Sequence, residues 1–189
     1  MNRFLDDFEL EQLELSTGYK IGKNVKIARN TVIDCNELEI GDNTIISDFT
    51  ILTGRIKIGR YCHIAHKVHL SGHYNITIGN HVTISANTTI YTESDDHKGH
   101  ALIGPQVPYE FRSCYSGPVF INDFVAIGTH CIIMPNSIFG EGSMLNIRSN
   151  AYNNFRAEPW MKYGSYSPIS IAQLIKPREQ GQKDLVDKL

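Results

Sequence analysis

Residues 21–53 read IGKNVKIARNTVIDCNELEIGDNTIISDFTILT, and the spacing of their aliphatic residues decides the fold. Ile21, Ile27 and Ile33 stand six apart, as do Ile40, Ile46 and Leu52 after a one-residue slip in phase. Each is followed by a small or polar residue: Gly22, Ala28, Asp34, Gly41, Ser47 and Thr53. Four positions after an aliphatic comes a small or β-branched residue, as at Val25, Thr31, Thr44 and Thr50. An α-helix repeats its apolar face at three or four residues and an amphipathic strand at two, so a step of six excludes both as the whole answer.

The phase holds outward from this stretch. Ile58, Ile64 and Leu70 continue it, then Ile78, Ile84 and Ile90, and later Ile121, Ile127, Ile133 and Phe139. Short strands joined by tight turns fit such a step, with three rows closing one triangular coil and each aliphatic residue stacking on its equivalent in the next coil. Isoleucine suits the task because its branched side chain is stiff and packs well on a pleated surface, and burying one contributes roughly 1.5–3 kcal/mol. A two-sheet sandwich is the competing arrangement, but it does not hold a phase of six across this many rows.

Rows of the form [LIV]-G-x-x-x-x resemble those of the hexapeptide-repeat acyltransferases, among them the maltose and galactoside acetyltransferases and the O-acetyltransferases of polysaccharide synthesis. The resemblance spans about Ile21 to Arg178 and implies an all-β chain wound as a left-handed parallel β-helix. The hand comes from the resemblance alone, since parallel crossovers otherwise prefer the right hand.

Two interruptions break the phase. Between Leu70 and Ile78 the segment SGHYNIT adds two residues, which predicts a bulged corner carrying His73. From Glu93 to Gly117 the repeat stops, and a loop of this length inside a compact repeat points to function. Its Tyr109, Phe111 and Tyr115 predict packing on something, in a trimer the neighbouring subunit. The organisation expected is an N-terminal cap over 1–20, a β-helix over 21–150 with an extruded loop over 93–117, and a C-terminal loop and helical cap over 151–189. Phe4, Leu5, Phe8 and Leu13 suit a short helix in the first cap, and a helix from about Glu179 suits the second.

The resemblance also assigns chemistry. TIYTESDDHKG, Thr89 to Gly99, lies where related sugar and antibiotic acetyltransferases carry a histidine on an extruded loop, which makes His97 the expected catalytic base for acyl transfer to a hydroxyl. Asp95 or Asp96 is expected to orient the imidazole or hold a sugar hydroxyl. CHIAHKVHLSGH, Cys62 to His73, is similar to the histidine-bearing coil of nucleotide-linked sugar N-acetyltransferases, so His66 and His73 are the alternative bases and substrate contacts. GPVFINDFVAIGTHCIIMPNSIFGEGSMLNIRS, Gly117 to Ser149, matches the stretch that lines acetyl-CoA in the family. By that match the backbone amides of Thr129 and Ile147 face the thioester or pantetheine, where amide donors stabilise an oxyanion. Arg148 is a candidate for a CoA phosphate, and Lys176 and Arg178 for the nucleotide end. The sequence departs from the family pattern at Asn136-Ser137 and at Asn146-Ile147-Arg148.

Composition narrows the classes of function. A chain of 189 residues with 41% hydrophobic and 20% charged residues suits one soluble domain, and a formal net charge of -2 recruits neither nucleic acid nor an anionic membrane. No run of eighteen apolar residues and no early apolar stretch predict a cytoplasmic protein without membrane insertion. Cys35, Cys62, Cys114 and Cys131 show no zinc or disulfide spacing, and no metal is expected.

The function expected is acetyl-CoA-dependent O-acetylation of a saccharide hydroxyl by a homotrimer, with a role in surface-polysaccharide synthesis. The alternative is N-acetylation of a nucleotide-linked amino sugar. Two further alternatives are a non-catalytic scaffold and a zinc enzyme like the γ-class carbonic anhydrases, against which the bulge places His63 and His81 out of register.

Overall fold

The structure is a computed structural model that describes residues 3–96, 98, 100–164 and 176–177. Helix α1 (Asp7–Thr17) opens it. The helix starts at a reciprocal cap, in which the Glu9 amide donates to Asp6 Oδ1 and the Asp6 amide to Glu9 Oε2, both at 2.9 Å. It stops at Gly18, whose φ of 76° ends the helix in the left-handed region. Leu10 and Leu5 turn into the first coil, while Phe8 stays exposed. The Leu5 amide donates to the Ile27 carbonyl at 2.9 Å, so the cap is tied by backbone as well as by burial.

The rest is a left-handed parallel β-helix of about seven turns. Face 1 is built from β1 (Lys20–Ile21), the later halves of β3 (Val32–Ile40), β5 (Ile51–Ile58) and β7 (His69–Ile78), then β12 (Val119–Ile121), β15 (Ile138–Phe139) and β18 (Arg156–Ala157). Face 2 stacks β2 (Lys26–Ile27), β4 (Ile45–Ile46), β6 (His63–Ile64), β8 (Thr83–Ile84), β13 (Ala126–Ile127), β16 (Met144–Leu145) and β19 (Met161–Tyr163). Face 3 stacks the earlier halves of β3, β5 and β7 on β9 (Thr89–Tyr91), β14 (Ile132–Ile133) and β17 (Asn150–Ala151). Pairing is parallel and in register, Ile27 to Ile46 to Ile64 to Ile84 to Ile127 to Leu145, so the aliphatic residues form continuous internal ladders.

Small residues fill the inner corners as the spacing requires. Three of them are buried threonines whose hydroxyls would be costly if unpaired. Thr44 donates to the Gly59 carbonyl at 2.8 Å, Thr50 to Ala65 at 3.1 Å and Thr88 to Gly128 at 2.8 Å. Corners turn through a residue with positive φ, and among the described residues fourteen with positive φ are not glycine. At the corner between faces 1 and 2 they include Tyr61, His81, Phe124 and Trp160, where ring stacking offsets the backbone cost.

The bulge falls where expected, between Gly72 and Ile76 in β7. The extruded segment leaves the corner between faces 3 and 1 as an antiparallel pair, β10 (Glu93–Asp95) with β11 (Cys114–Ser116), linked by a 3-10 turn over Tyr109–Phe111. It costs the solenoid no rung, because Ile78 pairs directly with Ile121.

The expectation that the coils end near residue 150 is corrected. Strands β17, β18 and β19 continue them to Tyr163, and Trp160 forms a coil corner rather than part of a departing loop. The rungs there are Ala151 and Ala157, with Phe139 and Phe155 packed at 5.4 Å to fill the space that isoleucine fills elsewhere. The chain returns at β20 (Lys176–Pro177), antiparallel to β19. The helix expected from about Glu179 lies outside the described residues.

Candidate active site

Two corners frame the candidate site, one at each end of face 3. Along the corner between faces 2 and 3, successive coils present His66-Lys67, Ala86-Asn87, Thr129-His130 and Ile147-Arg148, the second of each pair having positive φ. The N–H groups of Ala86, Thr129 and Ile147 have no acceptor among the described residues. At the matching place between faces 1 and 2 three of the amides are closed off by side chains. Lys23 donates to Asp42 Oδ1 at 2.7 Å, Arg60 to Asn80 Oδ1 at 3.0 Å and Asn80 to Asp123 Oδ1 at 2.7 Å. The open corner therefore carries a row of outward amide donors, one coil step of about 4.8 Å apart.

Local packing fixes this row. A Cβ on Gly128 would meet the Ile147 amide nitrogen at 2.5 Å, so glycine allows the two coils to approach. The Thr129 hydroxyl donates to the Ala86 carbonyl at 2.6 Å and accepts from His130 Nδ1 at 2.9 Å, which ties the fifth coil to the fourth. Arg148 is exposed on the same corner, its amide donating to the Thr129 carbonyl at 2.9 Å. Thr129, Ile147 and Arg148 thus stand on one corner, a donor row with an exposed apolar Ile147 and a cationic Arg148 beside it.

The other corner holds the carboxylates. Asp95 Oδ1 accepts from Arg112 Nε at 3.0 Å and Nη2 at 2.7 Å, and from the Cys114 thiol at 3.2 Å. Its Oδ2 accepts from the Gly104 amide at 2.9 Å. These donors, the Arg112 guanidinium foremost, hold the Asp95 carboxyl down at about 2. Desolvation and the adjacent Asp95 push the Cys114 thiol up, which disfavours the thiolate a cysteine nucleophile needs.

Glu93 lies 3.8 Å from Arg112 and 3.9 Å from His73 of the bulge. The Tyr74 amide donates to the Thr92 hydroxyl at 2.9 Å, which ties the bulge to the root of the loop.

The structure therefore joins Asp95 to His73 through Glu93 and Arg112, but it leaves His66 on the opposite corner. Asp96 turns away: its amide donates to the Ser113 carbonyl at 2.7 Å and its Oδ1 accepts from the Lys98 amide at 3.0 Å. His97 and Arg178 lie outside the described residues, and Lys176 is placed only by its backbone pairing with Lys162. Ser85 sits beside Ala86 on the open corner, in an ordinary row that sequence reading does not single out. Sequence reading also missed Arg112, whose pairing spans seventeen residues. His63 pairs across face 2 with Thr83 and not with His81. Among the described residues no cluster of three or more His, Cys, Asp or Glu side chains could hold a metal ion, and no helix is long and apolar enough to cross a membrane.

Comparison with known proteins adds the following. No family model matches the sequence. A dTDP-4-amino-4,6-dideoxy-D-glucose acyltransferase of Escherichia coli is 33% identical over 151 residues, covering 77% of each chain. AntD, an N-acyltransferase from Bacillus cereus, is 32% identical with a TM-score of 0.88 over 100% of this chain and 97% of its own. That structure holds dTDP-4-amino-4,6-dideoxyglucose and coenzyme A, and another AntD structure holds dTDP and 3-hydroxybutyryl-CoA. AntD has also been solved with one serine replaced by cysteine, threonine or alanine, and with an aspartate ten positions later replaced by alanine or asparagine. A hexapeptide-repeat acetyltransferase from Vibrio cholerae, 19% identical with a TM-score of 0.57 over 93% of this chain and 83% of its own, shares the fold.

Proposed function

The chain belongs to the hexapeptide-repeat acyltransferase family, and from that premise we propose that it transfers the acyl group of an acyl-CoA to the amino group of a nucleotide-linked amino sugar. This is the amine alternative of the sequence analysis in place of the hydroxyl. The observation that carries it is a Ser85 and an Asp95 ten residues apart, the spacing of the two positions substituted in AntD, with Asp95 held as a carboxylate by Arg112.

A carboxylate fixed in its charged form is a poor proton acceptor but a good partner for an amine. Asp95 Oδ1 is occupied by three donors, whereas among the described residues Oδ2 accepts only from Gly104 and keeps acceptor capacity for the N–H of an incoming amine. The free amine attacks the thioester carbon, the C–N bond forms, and the oxyanion rests on the open amides of the Thr129 row. The C–S bond then breaks, and the proton lost by nitrogen is matched by the one gained by the CoA thiolate. Arg148 and the Lys176–Arg178 segment serve the phosphates. A neutral amine needs less help from a base than a hydroxyl does, so His97→Ala is expected to lower kcat less than tenfold, whereas a hydroxyl acceptor would require a loss of about 10²–10⁴.

Homotrimerisation belongs to the same proposal. Face 3 presents Val32, Ile51 and Ile132 outward in one register, all exposed, and Phe49 beside them. The loop adds exposed Leu102, Ile103 and Phe111. A threefold axis facing this stripe covers it and sets the Asp95 corner of one copy against the open-amide corner of the next. The two halves of the site then meet. The product, an N-acylated nucleotide sugar, suits surface-polysaccharide synthesis.

The test is incubation with acetyl-CoA or 3-hydroxybutyryl-CoA and either dTDP-4-amino-4,6-dideoxyglucose or its 4-hydroxy counterpart, read by mass spectrometry and thiol release. Acylation of the amino sugar alone is expected; acylation of the hydroxy sugar alone would overturn the reading.

A further inference from the structure

One arrangement of buried side chains stands behind both the open corner and the closed corner between faces 1 and 2. At the closed corner, the buried Thr44 hydroxyl donates to the Gly59 carbonyl of the next coil at 2.8 Å and accepts from the Cys62 amide at 3.0 Å. The Cys62 thiol then donates to the Gly79 carbonyl, one coil further on, at 3.0 Å. At the open corner, the buried Thr88 hydroxyl donates to the Gly128 carbonyl at 2.8 Å and accepts from the Cys131 amide at 3.3 Å. The Cys131 thiol donates to the Asn146 carbonyl at 3.0 Å.

We propose that Thr88, seconded by Cys131, is a positioning residue for acyl transfer: from inside the core it aims and polarises the peptide whose outward N–H, that of Thr129, receives the oxyanion. The proposal rests on the reading of the open row as the oxyanion site.

Three observations carry it. The first is direction. A trans peptide sets its C=O and N–H on opposite sides of one plane, so a carbonyl anchored inward fixes the N–H outward. The Gly59 and Gly79 carbonyls belong to the peptides that carry the Arg60 and Asn80 N–H groups, and the Gly128 and Asn146 carbonyls to those that carry the Thr129 and Ile147 N–H groups.

The second is what meets those N–H groups. At the closed corner, Arg60 donates to Asn80 Oδ1 at 3.0 Å and Asn80 to Asp123 Oδ1 at 2.7 Å. At the open corner, the Thr129 and Ile147 N–H groups have the same inner anchors and no acceptor among the described residues. The Asp123 oxygen therefore marks, one corner away, the place where an oxyanion would stand against such a peptide. A hydroxyl that donates to the peptide oxygen draws charge toward it and strengthens the N–H as a donor, by roughly 10–30%.

The third is that packing alone does not require a hydroxyl there. Val25, Val68, Val82 and Val125 fill the equivalent inner position of other rows and are buried as well. A threonine at residue 88 adds a donor to a place that an isosteric valine could fill.

The test measures amino-sugar acylation in single turnover, per folded molecule and below the onset of unfolding, for the unaltered full chain, Thr88→Val, Thr88→Ser and Thr44→Val. Both valine variants should melt lower by a similar amount, because each leaves a buried carbonyl and a buried amide without that partner. Only Thr88→Val should lose rate, about three- to fourfold, which is roughly a fifth, on a logarithmic scale, of the 10²–10³ that one oxyanion donor supplies. The KM of the amino sugar should stay the same, and Thr88→Ser, which keeps the donor, should retain the full rate. An unchanged rate in Thr88→Val, or an equal loss in Thr44→Val, would overturn the proposal. Should Thr88→Val not fold, Thr88→Cys decides in its place, since Cys62 and Cys131 fill the same inner position as weaker donors. A rate about half that of the unaltered protein then supports the role of Thr88, and an unchanged rate overturns it. If the unaltered protein acylates no amino sugar, the reaction assigned above is wrong, and the role of Thr88 falls with it.

Discussion

The corner between faces 1 and 2 and the corner between faces 2 and 3 are made by the same turn, yet one is sealed and the other is open. At the sealed corner, Asp42, Asn80 and Asp123 reach across one coil to accept the amide of the coil before. Outside that layer, Tyr61, His81 and Phe124 stack at 5.1 and 5.2 Å with almost parallel rings, and Trp160 closes the row over Gly142. At the open corner the equivalent positions are Ala86, Thr129 and Ile147, whose side chains reach no neighbouring amide. A repeat protein can thus turn one edge into structure and another into a ligand surface by changing one residue per coil.

The contrast breaks most sharply if the open amides are removed without disturbing the turn. Pro135 and Pro159 already precede the positive-φ residues Asn136 and Trp160, so this type of turn accepts proline at that place. Thr129→Pro is expected to fold, to melt somewhat lower because it also loses the hydroxyl tie to Ala86, and to lose about 10²–10³ in kcat per folded molecule, the usual cost of one oxyanion donor. Unchanged kcat would make the open row idle.

The sealed corner should respond in the opposite way. Phe124→Ala is expected to cost about 3 kcal/mol in denaturant unfolding, the low end for a buried phenylalanine, while acyltransfer per folded molecule stays the same. Asp123→Ala should cost less, about 1 kcal/mol, comparable to loss of a helix-capping side chain, again without a change in kcat.

The smallest effect sharpens the comparison through pH. His81 lies between Tyr61 and Phe124, and its Nε2 is buried with no partner among the described residues. Desolvation lowers its pKa; Arg60 lowers it further and Asp123 opposes that. Because the folded value is below the unfolded one near 6.5, the neutral ring contributes stability above that pH, and the contribution is lost as pH falls through and below it. His81→Phe should therefore melt higher than the unaltered protein at pH 5, with the gap narrowing by pH 7.5. A gap independent of pH would show that the imidazole does not titrate.

The ladders were legible in the sequence because Ile and Leu recur at a step of six within each coil from Ile21 to Ile133, resuming after every slip and interruption. The last coils were not, because Ala151 and Ala157 take the rung positions and the missing volume comes from Phe139 and Phe155, a trade that no local pattern announces. The loop was legible as an interruption of the step of six. Arg112 was hidden because its meaning lies in a contact with Asp95 that only the β10–β11 pairing creates. Which corner is open could not be read from any single row. It depends on whether the next coil supplies an Asp or Asn in reach, and Asn is frequent at every corner for its backbone preference alone.

The most direct measurement is a crystal structure of the protein with coenzyme A and the amino-sugar nucleotide. The account predicts the CoA sulfur beside the Ala86 and Thr129 amides, with the acceptor nitrogen within hydrogen-bond distance of Asp95 from a neighbouring copy. CoA lying along the Tyr61–His81–Phe124 edge, or an acceptor nitrogen remote from Asp95, would contradict it.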